Sequence, residues 1–218
     1  MSESSLQVDR SYYENERPEV AKLVDADALV ILDVGCAMGH LGELLKKQVP
    51  GRRVYGVERN EMAAAHARSV LDGVTAGDIQ TKTLPFQPAT FDCMVFADIL
   101  EHLTDPAAVL KRLRPLLKPQ GHIVCSIPNM RHYAVILRLI HRGWEYEDYG
   151  HFDRTHFRFF SLASMKTLLA FVGFSIEHVE PRIVASTKMK LLNAFCLNRL
   201  EEFLAFQYLI KARNSSAS

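Results

Sequence analysis

The chain has 218 residues, enough for one domain to bury a sizeable core without disulfide or metal staples. Lys and Arg number 26 against 25 Asp and Glu, for a formal net charge of +1, and 48% of the residues are apolar. That balance describes a soluble globular chain and lacks the basic field that marks a dedicated nucleic-acid binder.

The N-terminal "MSESSLQVDRSYYENERPE" holds no apolar core of a secretory signal, and no later run is long and charge-free enough to span a bilayer. A cytoplasmic protein is expected. The four cysteines, Cys36, Cys93, Cys125 and Cys196, form no C-x-x-C pair and read as reduced thiols, with Cys93 and Cys125 inside apolar runs where free cysteine behaves as a small hydrophobe.

From residue 29 onward, apolar runs alternate with helical patterns. "LVILDV" predicts a buried strand and is followed by a helix over 41–49; "RVYGVE" predicts a second strand, with a helix over "NEMAAAHARSVL" and a short strand in "GVTAG". "FDCMVFAD" predicts the fourth strand, "PAAVLKRLRPLL" a helix, "KPQG" a turn, and "HIVCSIP" the fifth strand. Strands apolar on both faces and joined by crossover helices predict a parallel sheet with helices on both sides. Ligands of such sheets bind beyond the carboxyl ends of the strands.

After Pro128 the rhythm changes. A helix is predicted over "RHYAVILRLIHRG", followed by the aromatic and histidine-rich "WEYEDYGHFDRTHFRFFS", a helix in "LASMKTLLAFVG" and a strand in "FSIEHVE". "LLNAFCLNRLEEFL" predicts a helix and "AFQYLIKAR" a last strand, and the two late strands can pair antiparallel at one sheet edge. One domain over 1–213 is expected, with 129–160 as a lid over the substrate and 214–218, "NSSAS", as a disordered tail.

"VILDVGCAMGH", residues 30–40, joins an apolar strand ending in Asp33 to a glycine turn. It fails the dinucleotide fingerprint G-x-G-x-x-G, because Ala37 and His40 stand where the second and third glycines belong, and no Walker lysine follows. Acids recur at the ends of successive strands: Asp33, Glu58, Asp78 and Asp98. Each alone is more simply a helix cap or a solvated turn; four sharing one sheet edge outline a crevice. Glu58 suits both hydroxyls of a ribose, and Asp78 can accept from an adenine amino group with Ile79 against the ring. A ligand with adenine, ribose, a cationic centre and an amino-acid end suits this acidic edge without a phosphate clamp.

"ILDVGCAMG", "VYGVERN", "GDI", "FDCMVFADILEHLTDP" and "LKPQGHIVCSIPN", in that order, resemble the motifs of the class I S-adenosylmethionine-dependent methyltransferases. The resemblance implies a three-layer Rossmann-like α/β sandwich on a mostly parallel seven-stranded sheet with an antiparallel last strand, and S-adenosyl-L-methionine as methyl donor. By it, Asp33, Gly35 and Gly39 hold the methionine end, Glu58 the ribose, Asp78 and Ile79 the adenine, and Ala97 with Asp98 line the methyl side, with Cys36, Ala37 and Arg59 as further cofactor-binding candidates. Ala37 departs from the usual glycine, and a non-glycine residue at positive φ costs about 1–2 kcal/mol.

In "FADILEHLTDP", a helix would put Asp98, Glu101 and His102 on one face, and "HFDRTHFRFFS" brings His151, Asp153 and His156 toward the same edge. This resembles the small-RNA 2′-O-methyltransferases and the ubiquinone-pathway O-methyltransferases, whose E-x-x-E-H motif and distant histidine hold a divalent ion. Asp98, Glu101, His102 and His156 are the implied ligands of Mg or Mn, with Asp98, His102 and His156 as the catalytic set. The plainer alternative has Glu101 and His102 capping a helix and His156 packed beside Phe157 and Phe159. Without a metal, His102, His151 or His156 can serve as general base. His40, His66, His122, His132, His141 and His178 are expected at the surface or satisfied.

Trp144, Tyr146, Tyr149, Phe152, Phe157, Phe159 and Phe160 form either a platform for a flat substrate or the packing of the lid. From residue 182 onward six Lys or Arg oppose two Glu, which allows a weak attraction to an anionic membrane surface, though a solvated helix face explains it as well. The "DRTH-x-RFF" element also resembles glycan-associated methyltransferases, and "SIPN" those of methionine biosynthesis. The expected activity is O-methylation of a sugar, glycan or small-molecule hydroxyl; the rivals are a non-catalytic S-adenosylmethionine-binding regulator and an RNA 2′-O-methyltransferase.

Overall fold

A computed structural model of the chain describes residues 16–183, 193, 195 and 199–215. Its elements run α1 (Pro18–Ala21), β1 (Val30–Val34), α2 (His40–Gln48), β2 (Arg53–Glu58), α3 (Glu61–Ala67), β3 (Gly73–Ala76) and β4 (Phe91–Ala97). A 3₁₀ turn (Leu100–His102) precedes α4 (Pro106–Leu113), β5 (Leu117–Pro128), α5 (Tyr133–Arg142) and α6 (Leu162–Val172), and the chain ends with β6 (Phe174–Ile183), α7 (Glu201–Leu204) and β7 (Ala205–Asn214).

The seven strands form one sheet in the order β3-β2-β1-β4-β5-β7-β6. The first five are parallel, and β7 pairs antiparallel with both β5 and β6. The expected mostly parallel Rossmann-like sandwich is therefore present, with two antiparallel pairings at one side. Alternation along the strands sends side chains to two cores. Leu32, Met94, Phe96, Ile123 and Cys125 face one, with Leu110 and Leu113 of α4 and Leu169 of α6. Ile31, Val54, Val95, Val124 and Leu209 face the other, with Val20 of α1 and Leu41 and Leu45 of α2.

Local chemistry sets the helix ends. The Asn60 side chain accepts from the Met62 and Ala63 N–H groups, Asp105 caps α4 ahead of Pro106, and Ser161 with Ser164 closes a capping box on α6. Several boundaries differ from expectation, three of them with a visible cause. The turn expected at "KPQG" is absorbed into β5, where Gln120 sits at φ 66° beside a register shift between Phe91 and Cys93. The helix expected over 60–71 stops at Ala67, and Leu71 turns in to pack with Leu41 and Leu45. Two residues expected in the tail are bound instead: Asn214 closes β7 and accepts from Arg114 Nε (2.8 Å), and the Ser215 N–H donates to the Gly173 carbonyl (3.2 Å). Of the helix expected over 191–204, the last four residues form α7, while 191, 192, 194 and 196–198, Cys196 among them, lie outside the described residues, as do 216–218.

Cys36, Cys93 and Cys125 are buried free thiols, and burial pushes the Cys93 thiol up to about 12. Among the described residues no helix is long and apolar enough to cross a membrane.

Candidate active site

The loop after β1 is built for close approach. Gly35 (φ 77°) and Gly39 (φ 87°) take left-handed conformations, and a Cβ on Gly35 would lie 2.0 Å from Ile99 Cδ1. Ala37 adopts φ 48°, so the alanine occupies the left-handed region that its place in the motif demands. The loop is tied to β2: the Gly35 and Cys36 N–H groups donate to the Val57 carbonyl (2.8 and 3.1 Å), and the Ala37 N–H donates to Glu58 Oε2 (2.9 Å). Cys36 is buried, and its sulfur fills the space beside Gly56 rather than facing a ligand.

An open cleft of about 480 Å³ lies at the carboxyl ends of β1, β2 and β3. Of the expected cofactor residues, Gly35, Glu58, Arg59, Asp78 and Ile79 line it. Asp33, Cys36, Ala37, Gly39 and Ala97 do not line it. Sequence reasoning missed Gln80 and Ile99, which also line the cleft. Gln80 Oε1 accepts from the Thr104 N–H (2.8 Å) and hydroxyl (2.6 Å), fastening the loop after β3 to the segment after β4. Asp78 Oδ1 accepts the Gln80 N–H (2.8 Å), and Arg112 donates to the Ile79 carbonyl. Glu58 is mostly buried; its second oxygen accepts the Asn60 N–H (2.7 Å), so it braces the loop as well as facing the cleft.

Burial pushes the Asp33 carboxyl up to about 7, with Glu58 adding repulsion and Arg17 opposing it. A cationic ligand on this edge would favour its ionised form.

His102 lines the same cleft and connects it to a second cluster. Ligand atoms of Glu101, His102 and His156 lie within 4.8 Å of one another, and the two imidazole rings meet edge to face with centroids 4.6 Å apart. The chain brings His156 there because the Phe157 and Arg158 N–H groups donate to the Glu101 carbonyl (2.9 and 3.0 Å), while Thr155 Oγ1 bonds His102 Nδ1 (3.0 Å). Glu101 is 2% exposed, and neither carboxylate oxygen has a hydrogen-bond partner among the described residues. Burial, then the neighbouring Asp98, raises its pKa well above the usual carboxylate range. Burial lowers both His102 and His156, with repulsion between them adding to the fall in His156, so the imidazoles stay neutral at neutral pH. A buried, unpartnered carboxylate beside two imidazoles is a mixed oxygen and nitrogen donor set close enough to share one ion.

Asp98 corrects the expected ligand set. It takes φ 54°, which breaks the helix that would have aligned it with Glu101 and His102, and the 3₁₀ turn begins only at Leu100. Its carboxylate instead engages Arg17, Ser126 Oγ (2.8 Å to Oδ1) and Gln207. His151 stays apart from the cluster's ligand atoms, its Nε2 3.0 Å from the Phe206 carbonyl oxygen. His132, expected exposed or satisfied, is neither: it is buried, stacked on His151 (5.7 Å, 3°), and its ring nitrogens have no partner among the described residues. Nothing in its sequence neighbourhood signals this. Within 129–160, Trp144 packs edge-on against Phe152 (5.1 Å) and Phe159 (4.7 Å), while Phe160 joins the core.

Residues 9–179 match the family described as "Methyltransferase domain". The chain belongs to that family. Among solved structures, it resembles an S-adenosylmethionine-dependent methyltransferase from Mesorhizobium loti with a TM-score of 0.64 at 20% identity, covering 91% of this chain and 97% of that one. A methyltransferase of Haloferax volcanii in complex with the Trm112 activator gives a TM-score of 0.64 at 18% identity, covering 95% and 92%. These likenesses establish the class I methyltransferase fold. The ubiquinone biosynthesis O-methyltransferase of Acinetobacter baylyi is 30% identical over 122 residues, 53% of this chain and 50% of the relative. The chain spans 30% to 52% of the length of such curated relatives. Family and fold together imply S-adenosylmethionine, and the narrow glycine loop with its acid-lined cleft suits that molecule's adenosyl half.

Proposed function

We propose that this methyltransferase-family chain transfers the methyl group of S-adenosylmethionine to a hydroxyl of a small-molecule or glycan-like acceptor. The observation that carries the acceptor side is Glu101: a fully buried carboxylate without a hydrogen-bond partner among the described residues, beside His102 at the mouth of the donor cleft. The O-methyltransferase relative at 30% identity supports the same reading.

When bound, S-adenosylmethionine supplies a methyl group on a positively charged sulfur. Asp78 and Ile79 receive the adenine and Glu58 the ribose, while the glycine loop lets backbone approach closely. Glu101, His102 and His156 would hold a divalent ion such as Mg or Mn, which lowers the pKa of a hydroxyl bound to it. Without an ion, His102 or His156 can instead accept the hydroxyl proton at a ring nitrogen. Much of the acceleration comes from holding the acceptor oxygen in line with the methyl group. The exposed face of Trp144 and its aromatic neighbours offers a platform for a ring-shaped acceptor.

The test uses methyl-labelled S-adenosylmethionine with catechol and with a simple glycoside, each with and without added Mg²⁺ or Mn²⁺. A labelled methyl ether that disappears in Glu101→Gln supports the proposal. Absence of transfer to either diol, or full transfer by Glu101→Gln, overturns it.

A further inference from the structure

Of the polar residues in "DRTHFRFF", residues 153–160, the proposed chemistry uses only His156. The others converge on His102. Asp153 Oδ1 accepts both the N–H and the hydroxyl of Thr155, each at 2.7 Å, so an acid two residues before a hydroxyl closes a turn upon it. Two oxygens of Thr155 then face His102 Nδ1, the hydroxyl at 3.0 Å and the main-chain carbonyl at 3.2 Å. Arg158 anchors the segment on both sides of that ring: its backbone N–H donates to the Glu101 carbonyl (3.0 Å) and its Nε to the Thr104 carbonyl (2.9 Å).

The direction of each bond follows from what each oxygen can do. A carbonyl oxygen only accepts, and so does a carboxylate. The single hydroxyl proton of Thr155 goes to Asp153, which leaves the hydroxyl oxygen facing His102 as an acceptor. Both contacts therefore require the proton on Nδ1. A neutral imidazole has one N–H and one lone pair, so with Nδ1 protonated the lone pair is on Nε2, the partner at one ring nitrogen deciding the state of the other.

We propose that Asp153 and Thr155 are positioning residues that lock His102 in its Nδ1–H tautomer and make Nε2 the atom that works. This rests on the proposed transfer chemistry and deepens it: whether His102 holds an ion or takes the acceptor's proton, it does so at Nε2. The other tautomer would present an N–H there, a donor that can neither ligate nor accept. Asp153 acts through Thr155, and Thr155 through the ring.

The experiment is a long-range proton–nitrogen correlation spectrum of the full chain at neutral pH, with isotopically labelled histidine rings, His102 being assigned by its loss in His102→Gln. In the wild type Nδ1 is expected to carry the proton and Nε2 to resonate as an unprotonated nitrogen. Thr155→Val removes the accepting hydroxyl and Asp153→Ala frees it to donate; both are expected to bring up the Nε2–H form, while Thr155→Ser keeps the wild-type pattern. With catechol as acceptor, kcat is expected to fall about 10- to 100-fold in Asp153→Ala, the scale of losing an imidazole's orienting partner, with KM for S-adenosylmethionine within about threefold of wild type. An Nε2–H or mixed form in the wild type overturns the proposal, as does a tautomer unchanged in both Thr155→Val and Asp153→Ala. A changed tautomer with unchanged kcat overturns Nε2 as the working atom. A wild type that shows the expected tautomer and methylates no diol overturns the transfer chemistry, and the tautomer assignment stands without it.

Discussion

Glu58→Ala separates bracing from binding. The carboxylate accepts two backbone N–H groups, Ala37 (2.9 Å) and Asn60 (2.7 Å), and is itself 8% exposed. Truncation strands both donors at about 1–3 kcal/mol each; water reaches this cleft wall, so the low end applies, roughly 2–4 kcal/mol in total. At about 2–4 °C per kcal/mol for a domain of this size, the melting temperature should drop by roughly 4–16 °C. The chain should still fold, because the Gly35 and Cys36 bonds to Val57 remain. Thermal unfolding followed by circular dichroism reads the first effect; titration with S-adenosylhomocysteine reads the second, an affinity loss of tenfold or more. An unchanged melting temperature refutes the bracing role. A lower melting temperature with unchanged affinity refutes the ribose assignment.

Asp33, pushed up to about 7 against an ordinary value of 3.8, retains a proton in the folded chain that the unfolded chain has lost. Its contribution to stability is therefore complete below about pH 4 and declines as pH rises toward 7, by at most about 1.4 kcal/mol per pH unit; urea unfolding between pH 5 and 8 should show that slope in the wild type and not in Asp33→Asn, and parallel profiles would contradict it. Adding Mn²⁺ at about 100 times its dissociation constant should stabilise the chain by about 2.7 kcal/mol, and Glu101→Gln should abolish the shift; a melting temperature indifferent to the ion in wild type removes the cation site. Deletion of 214–218 should lower the melting temperature by a few degrees through loss of the Arg114–Asn214 and Ser215–Gly173 bonds, whereas deletion of 216–218 should not; equal effects would show that the strand end contributes nothing.

The sheet was legible because its strands are unambiguous. "VILDV" is apolar on both sides and all five of its residues are buried, so period and burial agree. The acids at the strand ends were legible for the same reason: once the strands are parallel, their ends share an edge. What failed depended on single backbone angles or on distant partners. Asp98, Glu101 and His102 have helical spacing, yet Asp98 takes φ 54° and its carboxylate engages Arg17, Ser126 and Gln207. Arg17 lies 81 residues from Asp98 and 109 from Ser126, in a stretch without periodicity, so nothing local announces the pairing. His132 and His151 stack across nineteen positions of sequence, with no local pattern to pair them. The pairing of His156 with His102 was reachable through a resemblance alone; the backbone bonds from Phe157 and Arg158 to Glu101 supply its physical cause.

The most direct measurement is equilibrium dialysis of the chain against radiolabelled S-adenosylmethionine, beside a Gly35→Val variant whose side chain would drive into Ile99. Saturable uptake of one molecule per chain by the wild type and none by a folded variant is the expected result. No saturable uptake by the wild type, or equal uptake by both, would contradict a donor site at this edge of the sheet.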